Sequence, residues 1–564
     1  MKIVHYFSFI SVILLCACSP PASISNDTDT SINKANIIAK AGAPLFSGMG
    51  EHRHPITTRD PAAQLYFDQG LVLAFGFNHA ESIRSFRAAQ KLDANCAMCF
   101  WGEALATGPN INVTSKGKAV MSAQERTSAF TALQKALSLK ANATSAEQDY
   151  IDALASRYNG DVGSDRTSLD LAYAGAMREL SQKYPNDNDA AALFAEALMN
   201  TMPWDYWLDV QNPKPATIEV IDTLEKIMQR APKHPLALHL YIHAVEASND
   251  PGRAEVAADS LANLVPASGH LVHMPAHIYW RVGRYHDAVD ANVRAAGVDE
   301  EYIAQCNAQG FYPALYYPHN IHFLWAASSM MGNSKMAIDA ARKVALNVRL
   351  EMIEQFPTVE FFKTIPILAL TQFGHWDEIL AEPMPLVKLD YSNAIQHYAR
   401  GIALTRKGQV SDAKTELEAL QPLLASDKIH TLDGSDYPAS VLLAIADKLL
   451  RGEIALAEGV SADAIVYFKE AVASQDTLPY TEPPFWYYPT RQSLGWALMQ
   501  AGEYVEAEQV YRKDLIAYPK NGWSMFGLIQ SLQKQDRQLE AAKEMEMFDI
   551  VWAMADVQLE ASRM

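Results

Sequence analysis

The sequence predicts an all-α protein, a solenoid of about 11–12 stacked helix hairpins interrupted by irregular insertions. Apolar residues recur at helical spacing along the chain, while the alternating patterns of strands are scarce. Small, aromatic and proline residues also recur at a period of about 34 residues. With 49% hydrophobic residues over 564, the chain has ample material for a buried core.

The repeat is clearest near the C-terminus. Gly495, Gly502, Ala507, Tyr511 and Pro519 fall at positions 8, 15, 20, 24 and 32 of one unit. The preceding unit carries Gly452, Gly459, Ala464, Phe468 and Ala471 in the same phase, and before it come Gly401, Gly408 and Ala413. At the other end Gly70, Phe86 and Ala89 agree. These anchors resemble the tetratricopeptide (TPR) pattern over most of residues 60–550, with insertions near 108–125, 157–168, 203–215, 300–317 and 425–440. A single hairpin cannot bury its apolar face, so the units must stack and share a core. The resemblance implies that positions 2, 5, 9 and 12 of each first helix face a concave groove. The expected organisation is a signal peptide over 1–17, a lipidated cysteine and flexible tether over 18–60, and N-terminal units over 61–234. Central histidine-rich units over 235–345 and C-terminal units over 346–564 follow.

The first residues read as an address. Lys2 precedes an apolar run from Ile3 to Leu15, too short to span a membrane as a stable helix. It ends in Leu15-Cys16-Ala17-Cys18, which resembles the lipobox of a bacterial lipoprotein with cleavage before Cys18 and lipid on its sulfur. Ser19 in the next place implies an outer-membrane lipoprotein facing the periplasm; a plain secretory signal is the alternative. Residues 19–45, rich in Ser, Pro, Asn, Asp and Ala, predict the tether. The net charge of −18 argues against nucleic acid as a partner, because phosphate contacts need clustered Lys and Arg. The five cysteines give no disulfide framework, although Cys96 and Cys99 are spaced for one disulfide, a soft-metal pair or two buried thiols.

Three clusters between Pro235 and Gly332 hold seven of the sixteen histidines. HLYIHAVE contributes His239, His243 and Glu246, HLVHMPAH contributes His270, His273 and His277, and HNIH contributes His319 and His322. Spacings of three, four and seven put side chains on one helix face. In the repeat register, with Pro235 as position 1, His239, His243 and Glu246 take positions 5, 9 and 12. His270, His273 and His277 take 2, 5 and 9, and His319 and His322 take 2 and 5. All are groove positions of successive units, and Glu196 falls on position 9 of an earlier one. Pro275 threatens this register if the helix restarts there.

Histidine is the commonest side-chain ligand of Zn, Cu and Fe, and packed helices lie about 8–10 Å apart, so the stripes can converge. The expected cofactor is therefore a transition metal, Cu or Zn before Fe, in a mononuclear or dinuclear site. Glu246 or Glu196 would serve as ligand or base if the site is catalytic, which the sequence leaves open. The competing expectation is a metal-free TPR scaffold gripping a peptide or envelope protein in its groove. His52, His54 and His79 either join the groove or sit exposed at turns, and the aromatic stretches PWDYW and EPPFWYYPT are expected to cap it. Together with the histidine motifs, EPPFWYYPTRQSLGWAL resembles exported bacterial TPR proteins of similar length. That resemblance implies the fold and no reaction.

Overall fold

The computed structural model describes residues 26–115, 118–308 and 310–564. Cys16 and Cys18, with the lipobox reading, lie outside the described residues. Twelve helix hairpins follow one another, from the pair Pro61–Phe75 and His79–Leu92 to the pair Gly522–Lys534 and Gln538–Val551. The only strands among the described residues are two short antiparallel pairs, in the insertions near 114–119 and 207–213. No described helix is long and apolar enough to cross a membrane.

The repeat anchors have visible physical roles. Gly283, Gly332, Gly374, Gly408, Gly459 and Gly502 turn the chain between the two helices of their hairpins, with φ between +72° and +83°. L side chains pay roughly 1–2 kcal/mol for that region, and glycine does not. The glycines at position 8 let an aromatic ring of the second helix lie on the backbone of the first. A Cβ at Gly452 would overlap the Phe468 ring, and one at Gly495 the Tyr511 ring. Two hairpins depart from the rule: Phe77 in the first and Asp536 in the last stand where those six have glycine, at φ +56° and +60°.

Residues 34–60 are not the flexible tether expected from composition. The helix Asn26–Ala41 ends with Ile37 packed on the core and Ala41 buried. An extended strap follows, pinned by backbone and side-chain bonds. Tyr66 donates to Ala43 O (2.6 Å), Phe46 N to Gln69 Oε1 (2.7 Å), and Thr57 N and Oγ1 to the Glu147 carboxylate (both 2.6 Å). Small and polar residues here supply donors and acceptors to the first units, which composition alone does not reveal.

Both ends of the solenoid wind back onto its centre. The first hairpin meets the sixth: Tyr302 donates to Asn78 Oδ1 (3.3 Å), and Leu271 packs beside Gly76. From the other end, Trp523 Nε1 donates to Ser329 O (2.9 Å), and the Trp552 ring covers Gly332. The groove of the central units is thereby closed.

Gly452→Ala is expected to cost about 1–3 kcal/mol, because the Phe468 ring must move in a packed core. Gly459→Ala, with φ +78° and open space around it, should cost only about 1 kcal/mol. Urea midpoints of the two variants should rank in that order.

Candidate metal centre in the closed groove

The helix Pro235–Val245 begins on His234, whose Nδ1 accepts from Ala237 N (3.2 Å), with Pro235 in the first turn. It carries His239 and His243 one turn apart and ends on Glu246. The next inner helix runs Gly269–His273 and Pro275–Arg281. Pro275 removes one backbone donor, yet Met274 between the segments keeps helical angles (φ −50°, ψ −37°). The helical path therefore continues, and His270, His273 and His277 stay on one side. The helix Tyr317–Met330, entered through a π-turn over Tyr312–Tyr316, brings His319.

Six imidazoles form two adjoining sets. His239, His243 and His270 offer nitrogens within 4.8 Å of one another, as do His273, His277 and His319. In the first set His239 Nε2 and His270 Nε2 are 3.1 Å apart. In the second, His273 Nε2 lies 2.9 Å from His277 Nε2 and 3.1 Å from His319 Nε2. The sets adjoin through His243 and His277, ring centres 5.7 Å apart, and His270 and His273, 6.0 Å apart. All but the half-buried His319 are at most 4% exposed.

The outer nitrogens fix the tautomers. His239 Nδ1 is 2.7 Å from Phe75 O, which only accepts, so that nitrogen carries the proton. His273 Nδ1 is 2.7 Å from Asn292 Oδ1, and Asn292 Nδ2 donates to Ala288 O, which settles the amide's orientation. Glu246 serves both sets: Oε1 is 2.8 Å from His243 Nδ1 and Oε2 is 2.6 Å from His277 Nδ1. In His239, His243 and His273 the Nδ1 proton is hydrogen-bonded to an oxygen, and the Nε2 lone pair is left for the interior; His277 Nδ1 stands beside Glu246 as an ion pair. A histidine held this way is oriented as metal-binding histidines are.

The electrostatics agree with neutral imidazoles over most of the site. Burial, with neighbouring imidazoles, holds His239, His270, His273 and His319 well below the usual histidine range. Burial also depresses His243, against the pull of Glu246. His277 is the exception: burial works against its charge, but Glu246 and then Glu482 raise it to about 10. Burial would raise Glu246 too, and His277 and His243 outweigh it, bringing the carboxyl to about 2.

Glu482 comes from the insertion that carries EPPFWYYPT. Its Oε2 lies 3.3 Å from His277 Nδ1, and it makes a third cluster with Glu246 and His277. Tyr480 of the same insertion donates to Glu482 and reaches Glu246 Oε2 (3.4 Å). Arg281 binds the Glu246 and Ser248 carbonyls. Two aromatic residues with left-handed backbones close the first set: the Phe77 ring lies 4.6 Å from His239, and the Trp204 ring, at φ +61°, 5.1 Å from His243. Such strain persists where the surroundings enforce it, and it clusters at functional sites.

Two expected residues are not brought in. His322 stacks on Trp325 (5.3 Å) and against Phe361 and Phe362, and burial takes it to about 3. Glu196 lies in an earlier unit, where burial raises it against Arg157 and Asn200. His52 and His54 are neither groove ligands nor exposed. With His234 they surround the Asp189 carboxylate at 2.7–3.1 Å. Because His234 Nδ1 accepts the helix N–H, its Nε2 proton is the donor to Asp189, and this cluster is a hydrogen-bonded latch for the strap. His79 is half-buried, with Nδ1 2.6 Å from Ala106 O. Cys96 and Cys99 form a disulfide, and Cys306 sits 3.1 Å from Arg84 Nη2.

The Tetratricopeptide repeat family matches residues 490–522, the clearest unit of the sequence. The fold is a tetratricopeptide-repeat solenoid. No curated protein sequence matches the chain. Among solved structures, a human IFIT1 dimer with m7Gppp-AAAA aligns at 10% identity over 94% of this chain and 96% of that one, with a TM-score of 0.29. Yeast Tom70 aligns at 11% identity over 87% and 71%, with a TM-score of 0.28. At these scores neither likeness bears on function.

Asp299 positions two of the histidine helices. It accepts from Asn320 Nδ2 (2.7 Å) and from Tyr312 (2.9 Å), whose oxygen in turn accepts from His270 N. Burial pushes its carboxyl up to about 7. A folded-state value raised above the unfolded one gives stability that is full below about pH 4 and lost as pH rises through 7. Wild type minus Asp299→Asn should therefore show a stability difference that falls between pH 4 and 7, measured by urea unfolding.

Proposed function

We propose that the closed groove binds transition metal, Cu or Zn, through two sets of three imidazoles: His239, His243 and His270, and His273, His277 and His319. One observation carries the reading. Three histidines, His239, His243 and His273, have their Nδ1 protons engaged by oxygens, so their Nε2 lone pairs turn to the buried interior. At 2.9 Å the lone pairs of His273 and His277 repel unless positive charge lies between them. A proton on His277 would serve that one contact. It would not serve the first set, where His243 Nε2 has no partner among the described residues. A cation in each set satisfies both, and buried lone pairs left bare are costly. Glu246 orients one ligand of each set, and Glu482 stands beside His277 as a further ligand or as a base toward metal-bound water.

A metal-free scaffold that grips a peptide is the second reading, since TPR solenoids in general serve protein interaction. The closure of the central groove by both chain ends disfavours it at this site and leaves the outer surface open to partners. In keeping with the lipobox, we place the protein at the outer membrane, anchored through Cys18 and facing the periplasm.

Elemental analysis of protein purified without a histidine tag tests the metal. One or two equivalents of Cu or Zn are expected, with His243→Ala and His277→Ala each losing at least half and melting as folded chains. No uptake after exposure to both metals would sink the proposal. Glu246→Gln keeps the shape but weakens both orienting contacts, so metal affinity should fall about 10–100-fold. For the anchor, Cys18→Ala should move the protein from the membrane fraction to the soluble periplasm; an unchanged distribution would contradict it.

A further inference from the structure

Beside the histidines lies a chamber of about 430 Å³ that the metal reading does not use. His243, His277 and His319 form one wall of it, with Glu246 and Glu482. Much of the rest is aromatic, with Trp325, Phe361, Tyr391, Tyr437, Phe485 and Trp486, beside aliphatic side chains and prolines. Some of these rings already pair with one another. Phe361 and Tyr437 stack at 5.3 Å with 13° between planes, and Phe485 meets Tyr437 edge-on at 5.7 Å.

We infer that this chamber is a binding site for an uncharged aromatic small molecule bearing a hydrogen-bond acceptor, held next to the histidine sets. The inference deepens the metal reading by naming the class of molecule that would meet the centre, but the chamber's own walls carry it. Size comes first: about 430 Å³ lies within the range of small-molecule sites, roughly 300–1,000 Å³. Charge comes second. The described lining has Glu246, Glu482 and Asp436 and neither Lys nor Arg, and its one protonated imidazole, His277, is already paired with Glu246 and Glu482, so an anion would be desolvated without an uncommitted cation to meet it. Hydrogen bonding comes third. The indole N–H groups of Trp325 and Trp486 are buried and have no partner among the described residues, and both can donate to a hydroxyl or carbonyl oxygen. Flat rings on the walls favour a flat ring between them.

The origin of the walls points the same way. Trp204, Phe361, Tyr437 and Phe485 all come from segments outside the regular hairpins: the insertion after Met199, the 3-10 turn Pro357–Lys363, the stretch after Asp433, and the 479–487 insertion. A peptide-binding solenoid needs no such additions. Here they roof one small volume over the histidines.

Binding of 2-naphthol and of 2-naphthoate at pH 7 tests the inference by calorimetry and quenching of tryptophan fluorescence. Both are run on chelator-stripped protein and on protein exposed to Zn(II). Naphthol is expected to bind in both forms, with naphthoate at least tenfold weaker to the stripped protein. Phe361→Ala should weaken naphthol at least fivefold; Phe361→Leu, which keeps apolar bulk and loses the ring, is the companion should the alanine variant melt early. No binding of naphthol in either form, naphthoate binding equally well to the stripped protein, or full affinity in a folded Phe361 variant would overturn the inference. Naphthol binding without zinc uptake would leave the chamber standing and remove the metal. Zinc uptake without naphthol binding would do the reverse.

Discussion

Glu246 is the residue on which the interior turns. It is fully buried, its two oxygens reach one histidine of each set, and its own backbone carbonyl is held by Arg281. An isolated carboxylate at such depth would be protonated, yet His277 and His243 keep it ionised at physiological pH. In return it fixes the direction of both rings. Remove its charge and His243 loses the partner that sets its tautomer, His277 loses the carboxylate that most raises its basicity, and the Tyr480 hydroxyl loses an acceptor. The polar network is demanding in this sense: complete, it specifies one arrangement; broken, it leaves several buried groups unpaired.

The fold was legible in the sequence because the repeat is enforced locally. A turn that needs φ near +75° calls for glycine, and an aromatic ring resting on a backbone calls for another, so both leave marks at a fixed period. The same register put His239, His243, His270, His273, His277 and His319 on facing sides of successive helices, where the structure also groups them, since a helix face follows from spacing alone. Pro275 did not disturb it, because Met274 stays helical. His322 shows where the rule stops. Trp325 and the Phe361–Phe362 pair give its ring an aromatic bed, and it leaves the cluster.

What the sequence did not show is tertiary in origin. Nothing local says that the insertion bearing Glu482 crosses to His277, more than two hundred residues earlier, or that Phe77 and Trp204 fold over the first set. One signal was present: in the first unit phenylalanine occupies the position that holds glycine in six other turns. A costly exception to a repeat is a sign that the side chain serves something besides the turn. The strap over residues 43–60 was misread for the opposite reason. Its small polar residues are those of a disordered segment, and only the acceptors waiting on the first units order it.

The closing of the groove by both ends of the chain also sets an order of events. The strap and the Phe77 cover are made before the histidine helices, whereas the Tyr480–Glu482 segment is made long after them. During synthesis the cluster thus exists for a time with its floor in place and its roof still to come. Anything that enters the interior has a wider approach in that interval than it has afterwards.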